Sequence, residues 1–244
     1  MPYNLPERQP DLVPPFVRAL PVDGRGKLAI FDADGTVWRD DVADDFCRWM
    51  IDSGHVDTGH RWPEYLRIYR EDHGVGCAFM LTFYESLPLA EFHRLIRTWW
   101  GGADRRWIPE VLESLYLLAD RGYTIWVVTG SPTDTMLPLL DFLPVHRIIG
   151  MDFEVDAKGR ITGRVDGMPC TDEHKARKVR HLWGESPIPF AAGNGSLDGA
   201  MIALGAPVRW SIYPNPAFEA HSRAQGWEVL PRPADFVEEA KLTP

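Results

Sequence analysis

The chain has 244 residues, of which 45% are hydrophobic and 25% are charged, which is typical of a globular protein with one main domain and room for a smaller inserted one. Its 26 Lys and Arg against 35 Asp and Glu residues give a formal net charge of -9. This charge argues against a nucleic-acid or anionic-membrane partner, because either would require a basic face. No signal peptide and no apolar run long enough to cross a bilayer are visible, so we expect a cytoplasmic protein.

The first part of the chain is rich in proline and leads into a buried strand. Residues 1–26 contain six prolines and are predicted to form an arm that packs on the domain or trails from it. Residues 27–31 are a short apolar run, which indicates a strand. Apolar residues then recur at helical spacing, and we interpret residues 41–100 as a helical cap inserted over the active end of a sheet. Residues 27–40 and 101–244 are predicted to form the core domain.

The second half of the chain alternates between strand-like and helix-like segments. Predicted strands cover residues 123–128, 147–155, 161–165, 188–192 and 208–213, and predicted helices cover residues 107–119, 172–183 and 197–204. A further helix is predicted to start near Ser131 and Pro132. Such alternation predicts an α/β fold with a doubly wound, Rossmann-like and mostly parallel sheet, whose ligands bind at the carboxyl ends of the strands.

Two aspartates, Asp32 and Asp34, stand directly after the first predicted strand in a tight turn with Gly35. Side chains two residues apart in an extended segment project to the same side, so these carboxylates repel each other unless a cation or a proton compensates them. Mg²⁺ prefers oxygen ligands and is the natural compensator. An Asp-Gly turn with helix-capping acids is the alternative, but it fits less well with Asp-Ala-Asp-Gly-Thr after an apolar strand.

Residues 31–37, Phe-Asp-Ala-Asp-Gly-Thr-Val, resemble the first signature of the haloacid dehalogenase (HAD) superfamily, in its phosphoserine-phosphatase-like branch. The resemblance implies that Asp32 attacks phosphorus and forms an aspartyl-phosphate. It also implies that Asp34 protonates the leaving oxygen and then activates the hydrolytic water. Dehalogenase members lack the second aspartate, so Asp34 favours phosphoryl chemistry. The implied activity is that of a Mg²⁺-dependent phosphatase acting on a small phosphate monoester.

Residues 126–132, Trp-Val-Val-Thr-Gly-Ser-Pro, resemble the second signature of the superfamily. Thr129 occupies the matching hydroxyl position and is expected to donate to a phosphate oxygen. Gly130 and Ser131 are expected to bind phosphate with it, at the free N–H groups of a helix N-terminus. For Ser131, an ordinary role as helix N-cap is an equal alternative.

A lysine at the start of a predicted helix resembles the third conserved element. Lys175 is assigned to it, and its charge would neutralise the phosphate and Asp32. Lys178, one helical turn later, is the rival. Lys175 is preferred because it lies nearer the loop end of the helix.

Residues 190–198 resemble the glycine-rich acidic loop of the superfamily, but Asn194 replaces its first acid. An amide oxygen can ligate Mg²⁺ but adds no charge, so Asp198 is an alternative direct ligand. The resemblance therefore implies metal ligands from Asp32, from Asp34 through its backbone carbonyl, and from Asn194 or Asp198.

The substrate is expected to be a small phosphorylated metabolite. Asp41 sits where phosphoserine-phosphatase-like members place an acid that contacts the substrate amine. The predicted cap is rich in aromatic residues, and an acid with an aromatic cage suits a quaternary ammonium group. Phosphoserine-like and phosphocholine-like substrates both stay open, and the same aromatics equally fit the cap's own core.

Two rival functions use the same residues. A phosphotransferase or phosphomutase would form the same aspartyl-phosphate and pass the phosphoryl group to an acceptor hydroxyl. A non-catalytic protein that binds a phosphoryl ligand would have lost turnover with the change to Asn194. The sequence leaves the oligomeric state open.

Overall fold

The computed structural model describes residues 3–234 and residue 236. In this part of the chain one seven-stranded sheet is formed by β1 (Leu28–Phe31), β2 (Thr124–Pro132), β3 (Arg147–Val155), β4 (Ile161–Asp166), β5 (Phe190–Gly193), β6 (Val208–Ile212) and β7 (Glu228–Leu230). The strands lie in the order β4-β3-β2-β1-β5-β6-β7, and only the β3–β4 pair is antiparallel. The predicted α/β fold with a doubly wound, mostly parallel sheet is confirmed.

Helices connect the strands and fill the long segment between β1 and β2. The helices are α1 (Pro15–Arg18), α2 (Val42–Asp52), α3 (Trp62–Glu71), α4 (His73–Met80), α5 (Leu89–Gly102), α6 (Pro109–Asp120), α7 (Thr133–Met136), α8 (Glu173–Trp183), α9 (Gly199–Ala203) and α10 (Pro216–Ala224). Four of them, α2 to α5, form the helical insertion predicted between the first strand and the rest of the sheet. Among the described residues, none of these helices combines the length and the apolar character that spanning a membrane requires.

Strand β1 is the centre of the sheet and the point from which the chain winds in both directions. All four of its residues are buried, which explains the uninterrupted apolar run, because a central parallel strand is covered on both faces. Phe31 lies opposite Val127 of β2 and opposite Ala192 of β5. The segments that follow β1 and β5 therefore leave the sheet side by side, at a topological switch point.

The aromatic residues of the insertion pack mainly against one another. The ring of Phe46 lies 5.4 Å from that of Phe92 and 5.5 Å from that of Trp99, and the ring of Tyr84 lies 4.9 Å from that of Phe92. Phe92 also contacts Phe153 of β3, with 5.0 Å between ring centroids. These buried rings form the core of the insertion and attach it to the sheet, so they are not part of a ligand cage.

The proline-rich segment before β1 is packed on the core through side chains of α6 and the turn after it. Val17 is fully buried, and the Arg121 guanidinium donates to the backbone carbonyls of Val17 and Leu20. Glu113 accepts a hydrogen bond from Arg8 at 3.0 Å. Two short helical turns, one of them α1, interrupt the segment, so it neither trails from the domain nor stays extended throughout.

The helix predicted to start near Ser131 and Pro132 is present and begins at Thr133, but the strand before it is longer than predicted. Strand β2 continues to Pro132, which pairs with Met151 of β3 after a register shift, and α7 begins one residue later. Proline is favoured at the first position of a helix, but here the neighbouring strand fixes it in the sheet. The sequence prediction also did not include α10 or β7.

Candidate active site

The predicted site residues come together at the switch point of the sheet. Asp32 follows β1, Asn194 follows β5, and Thr129 lies in the extended end of β2. The Asp32 N–H donates to the Ala192 carbonyl at 2.9 Å, so the pairing of β1 with β5 continues into the site. This is the position at which open α/β sheets bind their ligands.

A buried ammonium group joins two buried carboxylates. Lys175 Nζ lies 2.7 Å from Asp32 Oδ1 and 2.6 Å from Asp198 Oδ1, and each of the three residues is at most 4% exposed. The second oxygen of Asp32 accepts a hydrogen bond from the Thr36 hydroxyl at 2.8 Å. Lys178 is placed elsewhere, because its ammonium group donates to the Gly150 carbonyl at 2.7 Å. The structure therefore brings Lys175, and not Lys178, to Asp32.

Asp198 organises the loop that follows β5. Its Oδ2 accepts hydrogen bonds from the N–H groups of Asn194 at 3.0 Å and Gly195 at 3.1 Å. Gly193 is required for this approach, because a Cβ atom there would lie 2.6 Å from the Asp198 Cβ. Both oxygens of Asp198 thus accept hydrogen bonds within the protein, while the side chain of Asn194 stands at the front of the loop against Gly35.

The carboxylate of Asp34 is held by three donors from different parts of the chain. Its Oδ1 accepts from the Val42 N–H at 2.8 Å and from the Trp38 indole N–H at 3.0 Å. Its Oδ2 accepts from the Ser131 hydroxyl at 2.7 Å. The predicted pair Asp32 and Asp34 therefore have separate partners, with a lysine on the first and neutral donors on the second.

Burial and crowding of charge raise the pKa values of both aspartates. Burial raises the pKa of Asp32 to about 6, with the charge of Asp198 adding to the shift and Lys175 opposing it. Burial raises the pKa of Asp34 to about 8, and the charge of Asp41 adds to that shift. Burial would lower the pKa of Lys175, but Asp198 and Asp32 outweigh it and hold the pKa above its ordinary value. These shifts favour the lysine cation beside Asp32 and the protonated form of Asp34.

The segment predicted to bind phosphate is the end of a strand and not a helix N-terminus. The Thr129 hydroxyl oxygen accepts a hydrogen bond from the Ser131 N–H at 3.0 Å. Ser131 does not cap α7, whose N-cap is Pro132, so the N-cap alternative for Ser131 is wrong. With only four residues, α7 also lacks the length of the anion-binding helix that the sequence suggested. Gly130 is partly exposed beside Cys77 of the insertion.

A narrow pocket lies between the insertion and the end of β2. Asp41, which caps α2 by accepting from the Asp44 N–H at 3.0 Å, lies on its wall. Asp44 in turn accepts a hydrogen bond from the Tyr65 hydroxyl at 2.6 Å. The described residues that line the pocket are Asp41, Ala43, Asp44, Tyr65, Tyr69, Cys77, Met80, Gly130, Ser131 and Pro132.

The contacts that Thr36, Trp38, Asp44 and Tyr65 make in this site were not predicted from the sequence. Thr36 lies inside the first signature, so its spacing from Asp32 was a usable signal for a side-chain contact. Trp38 gave no such signal, because an indole four residues after an aspartate has many other possible partners. Asp44 and Tyr65 are 21 residues apart, and only the packing of α2 on α3 brings them together.

The oxygen atoms at the switch point could hold a divalent cation only if backbone and amide oxygens take part. Among the described residues, no three His, Cys, Asp or Glu side chains lie close enough together to hold a metal by themselves. A cation would therefore require backbone and amide oxygens beside a carboxylate. The Asn194 amide group lies next to the turn of Asp32 and Asp34, since a Cβ on Gly35 would lie 2.0 Å from Asn194 Nδ2, and this amide carries one oxygen that can act as a ligand. An all-oxygen set with raised carboxylate pKa values fits a hard cation that compensates the excess negative charge.

Comparison with known proteins places this site in a family. The model of the haloacid dehalogenase-like hydrolases matches residues 29–203. No curated protein sequence matches the chain.

The fold is shared by solved structures that include the following three. A protein of unknown function from Bordetella pertussis Tohama I is 20% identical, with a TM-score of 0.74 over 84% of this chain and 97% of that one. A phospho-aspartyl intermediate analogue of phosphoserine phosphatase is 17% identical, with a TM-score of 0.58 over 83% and 91% of the two chains. A probable phosphoserine phosphatase from Vibrio cholerae is 16% identical, with a TM-score of 0.60 over 91% and 64%.

Proposed function

We propose, because the chain belongs to the haloacid dehalogenase-like hydrolase family, that it is a phosphatase that hydrolyses a small phosphate monoester through covalent attack by Asp32. The observation that carries the proposal is the buried lysine at 2.7 Å from Asp32 beside Asp34, whose pKa is raised to about 8. The first aspartate is held as an anion by a cation, and the second is held as an acid. These are the two states that nucleophilic attack and leaving-group protonation require.

In the first step an oxygen of Asp32 attacks the phosphorus and forms a new O–P bond. The O–P bond to the leaving group breaks at the same time, and the leaving oxygen takes the proton of Asp34. Lys175 reduces the repulsion between the incoming phosphate dianion and the Asp32 carboxylate. The Thr36 hydroxyl keeps the other oxygen of Asp32 in place.

In the second step the now ionised Asp34 takes a proton from a water molecule, and the water oxygen attacks the phosphorus. The O–P bond to Asp32 breaks, which regenerates both aspartates and releases inorganic phosphate. One residue serves as acid and then as base, because the first step leaves it without its proton.

Phosphoryl oxygens are bound by Thr129 and by the backbone N–H of Gly130. The Thr129 hydroxyl oxygen already accepts from the Ser131 N–H, so its own proton can be donated to the phosphate. The strand end thereby supplies donors where the sequence suggested a helix N-terminus.

Mg²⁺ is the proposed cofactor, and when bound it supplies positive charge that offsets the charge of the phosphate and the carboxylates. The Asp32 carboxylate, the Asp34 backbone carbonyl and the Asn194 amide oxygen would hold it. Asp198 supports them from behind, since its oxygens accept from Lys175, Asn194 and Gly195.

The leaving group is proposed to carry an amine, as in phosphoserine or phosphocholine. The pocket next to Ser131 brings the carboxylates Asp41 and Asp44 together with the rings of Tyr65 and Tyr69. Carboxylates and aromatic faces both attract an ammonium group. Among the described residues that line this pocket none is cationic, which favours an ester without a carboxylate, such as phosphocholine, over phosphoserine.

The test is phosphate release from a panel of small phosphate esters, with Mg²⁺ and with a chelator in its place. We expect Asp32→Asn to abolish release. With 4-nitrophenyl phosphate, whose leaving group departs without a proton, we expect Asp34→Asn to accumulate protein that carries one phosphoryl group on Asp32, detected by mass spectrometry. Asp166→Asn, which changes an exposed aspartate at the end of β4, is the matched control. Retained turnover in Asp32→Asn would reject the nucleophile and with it the proposed mechanism.

A further inference from the structure

The two oxygens of Asp34 have partners of different kinds. Oδ1 accepts from the Val42 backbone N–H and the Trp38 indole N–H, and both of these groups are donors only. A carboxyl oxygen has two lone pairs, and both lone pairs of Oδ1 are engaged. A proton on Oδ1 would displace one of the two N–H groups and leave it unsatisfied in a buried place, since Trp38 is fully buried. Oδ1 therefore acts as the carbonyl oxygen of the acid.

The partner of Oδ2 can reverse its role. The Ser131 hydroxyl lies 2.7 Å from Oδ2, and a hydroxyl both donates and accepts. Ser131 is 8% exposed, and its N–H donates to the Thr129 hydroxyl at 3.0 Å, so its place at the end of β2 is fixed. Ser131 and Asp34 are 97 residues apart in the chain, and the parallel pairing of β1 with β2 brings them together.

We propose that Ser131 is a positioning residue that keeps the transferable proton of Asp34 on Oδ2 and reverses its hydrogen bond as Asp34 changes from acid to base. The inference rests on the proposed function, in which Asp34 performs both proton transfers. While Oδ2 carries the proton, the Ser131 hydroxyl oxygen acts as the acceptor of the hydrogen bond between the two groups. When that proton moves to the leaving oxygen as the O–P bond breaks, the hydroxyl rotates and donates to the ionised Oδ2. When Oδ2 takes a proton from the water, the hydroxyl rotates back.

A reversible partner has a specific advantage at this position. An N–H donor on Oδ2 would stabilise only the ionised acid and would oppose its reprotonation. An apolar residue would leave the ionised Oδ2 buried without a hydrogen bond after the first step. A hydroxyl serves both states of Asp34. This assigns Ser131 to the proton-transfer machinery and not to the phosphate contacts expected from the sequence.

The inference predicts that the effect of Ser131→Ala depends on how strongly the leaving group needs a proton. We would measure kcat/KM for phenyl phosphate and for 4-nitrophenyl phosphate, which share the phenyl ring but differ in leaving-group basicity, and compare each variant with the unaltered protein on the same ester. Phenolate is the poorer leaving group and depends more on protonation. Ser131→Ala is therefore expected to lower kcat/KM for phenyl phosphate by a factor roughly tenfold larger than for 4-nitrophenyl phosphate, within the range of general acid catalysis. Ser131→Thr keeps a hydroxyl and is expected to restore the unaltered ratio between the two esters.

Ser211→Ala is the matched control for removal of a buried serine hydroxyl. Ser211 is fully buried in β6, and within the described residues its hydroxyl makes no hydrogen bond, so the ratio between the esters should stay unchanged. Equal losses on both esters in Ser131→Ala, or no rescue by Ser131→Thr, would overturn the inference while the phosphatase proposal stands. Absence of phosphate release from either ester by the unaltered protein would overturn the proposed function and this inference with it.

Discussion

Lys175 and Asp198 form a buried ion pair with 2.6 Å between the ammonium nitrogen and Oδ1. The same nitrogen lies 2.7 Å from Asp32, so one cation holds the proposed nucleophile and the loop after β5 in a fixed relation. A single lysine compensates the charge of two buried carboxylates, so the stability of the arrangement depends on that one cation. Its removal leaves two negative charges that face each other without a cation.

Lys175→Met is therefore expected to destabilise the protein as well as to abolish phosphate release. Removing one partner of a buried ion pair typically lowers the free energy of unfolding by about 3–5 kcal/mol. Methionine has a similar length, so the loss would reflect charge rather than a cavity. Urea denaturation at neutral pH in the presence of a chelator measures this change.

Lys178→Met is the control on the same helix. Its ammonium group is bound to the Gly150 carbonyl and lies 3.5 Å from the half-exposed Asp152, so its removal should cost about 1 kcal/mol. Equal effects of the two substitutions would show that Lys175 is not the group that compensates Asp32 and Asp198.

The metal-free protein is expected to lose stability as the pH rises from about 4 to about 8. Asp32 and Asp34 have pKa values raised to about 6 and about 8, against an ordinary value of 3.8 in the unfolded chain. Between the ordinary and the raised values the folded state binds more protons than the unfolded state. The free energy of unfolding therefore decreases with pH, by up to ~1.4 kcal/mol per pH unit for each proton.

Asp34→Asn removes the contribution of Asp34 to the pH dependence of stability, which is the larger one because its pKa is raised further than that of Asp32. This variant cannot release a proton at position 34, so its stability should decline less between pH 6 and 8, the window between the two raised pKa values. Denaturation curves at several pH values with a chelator test this difference. Parallel pH profiles for the variant and the unaltered protein would contradict the raised pKa of Asp34.

Most strands and helices, in their order along the chain, could be predicted from local sequence patterns, because strands such as β1 are apolar runs bounded by turns. The end of β2 could not be predicted in this way. Pro132 locally favours a helix start, but its pairing with Met151 of β3 keeps it in the strand. Strand β7 has only three residues, and its pairing with β6 is a non-local contact with no periodicity to reveal it.

Within the site, the sequence predicted positions better than contacts. Lys175 was distinguished from Lys178 by its place at the helix start, and the structure brings it to Asp32. The partners of Asp34 were not predictable, because Ser131 reaches it across 97 residues and Trp38 through a turn with no regular periodicity. Spacing along the chain carries no information on contacts that depend on strand order.

Asn194→Asp is expected to strengthen Mg²⁺ binding and to weaken the metal-free protein. Asn194 stands where the family resemblance expects an acid, and its side chain lies against the turn of Asp32 and Asp34. An added carboxylate raises the affinity of an oxygen site for a divalent cation, so the Mg²⁺ concentration for half-maximal phosphate release should fall roughly tenfold. Without Mg²⁺ the new charge adds to those of Asp32 and Asp198, and the free energy of unfolding should fall by about 1 kcal/mol.

Mg²⁺ titrations of phosphate release and of thermal stability measure both effects in the same variant. Asn215→Asp is the matched control, because Asn215 is an exposed N-cap of α10 and aspartate caps a helix equally well. The control should therefore change neither titration. An unchanged Mg²⁺ requirement in Asn194→Asp would place position 194 outside the metal shell. Asp198 would then be the direct ligand, even though both of its oxygens accept hydrogen bonds from Lys175 and the loop.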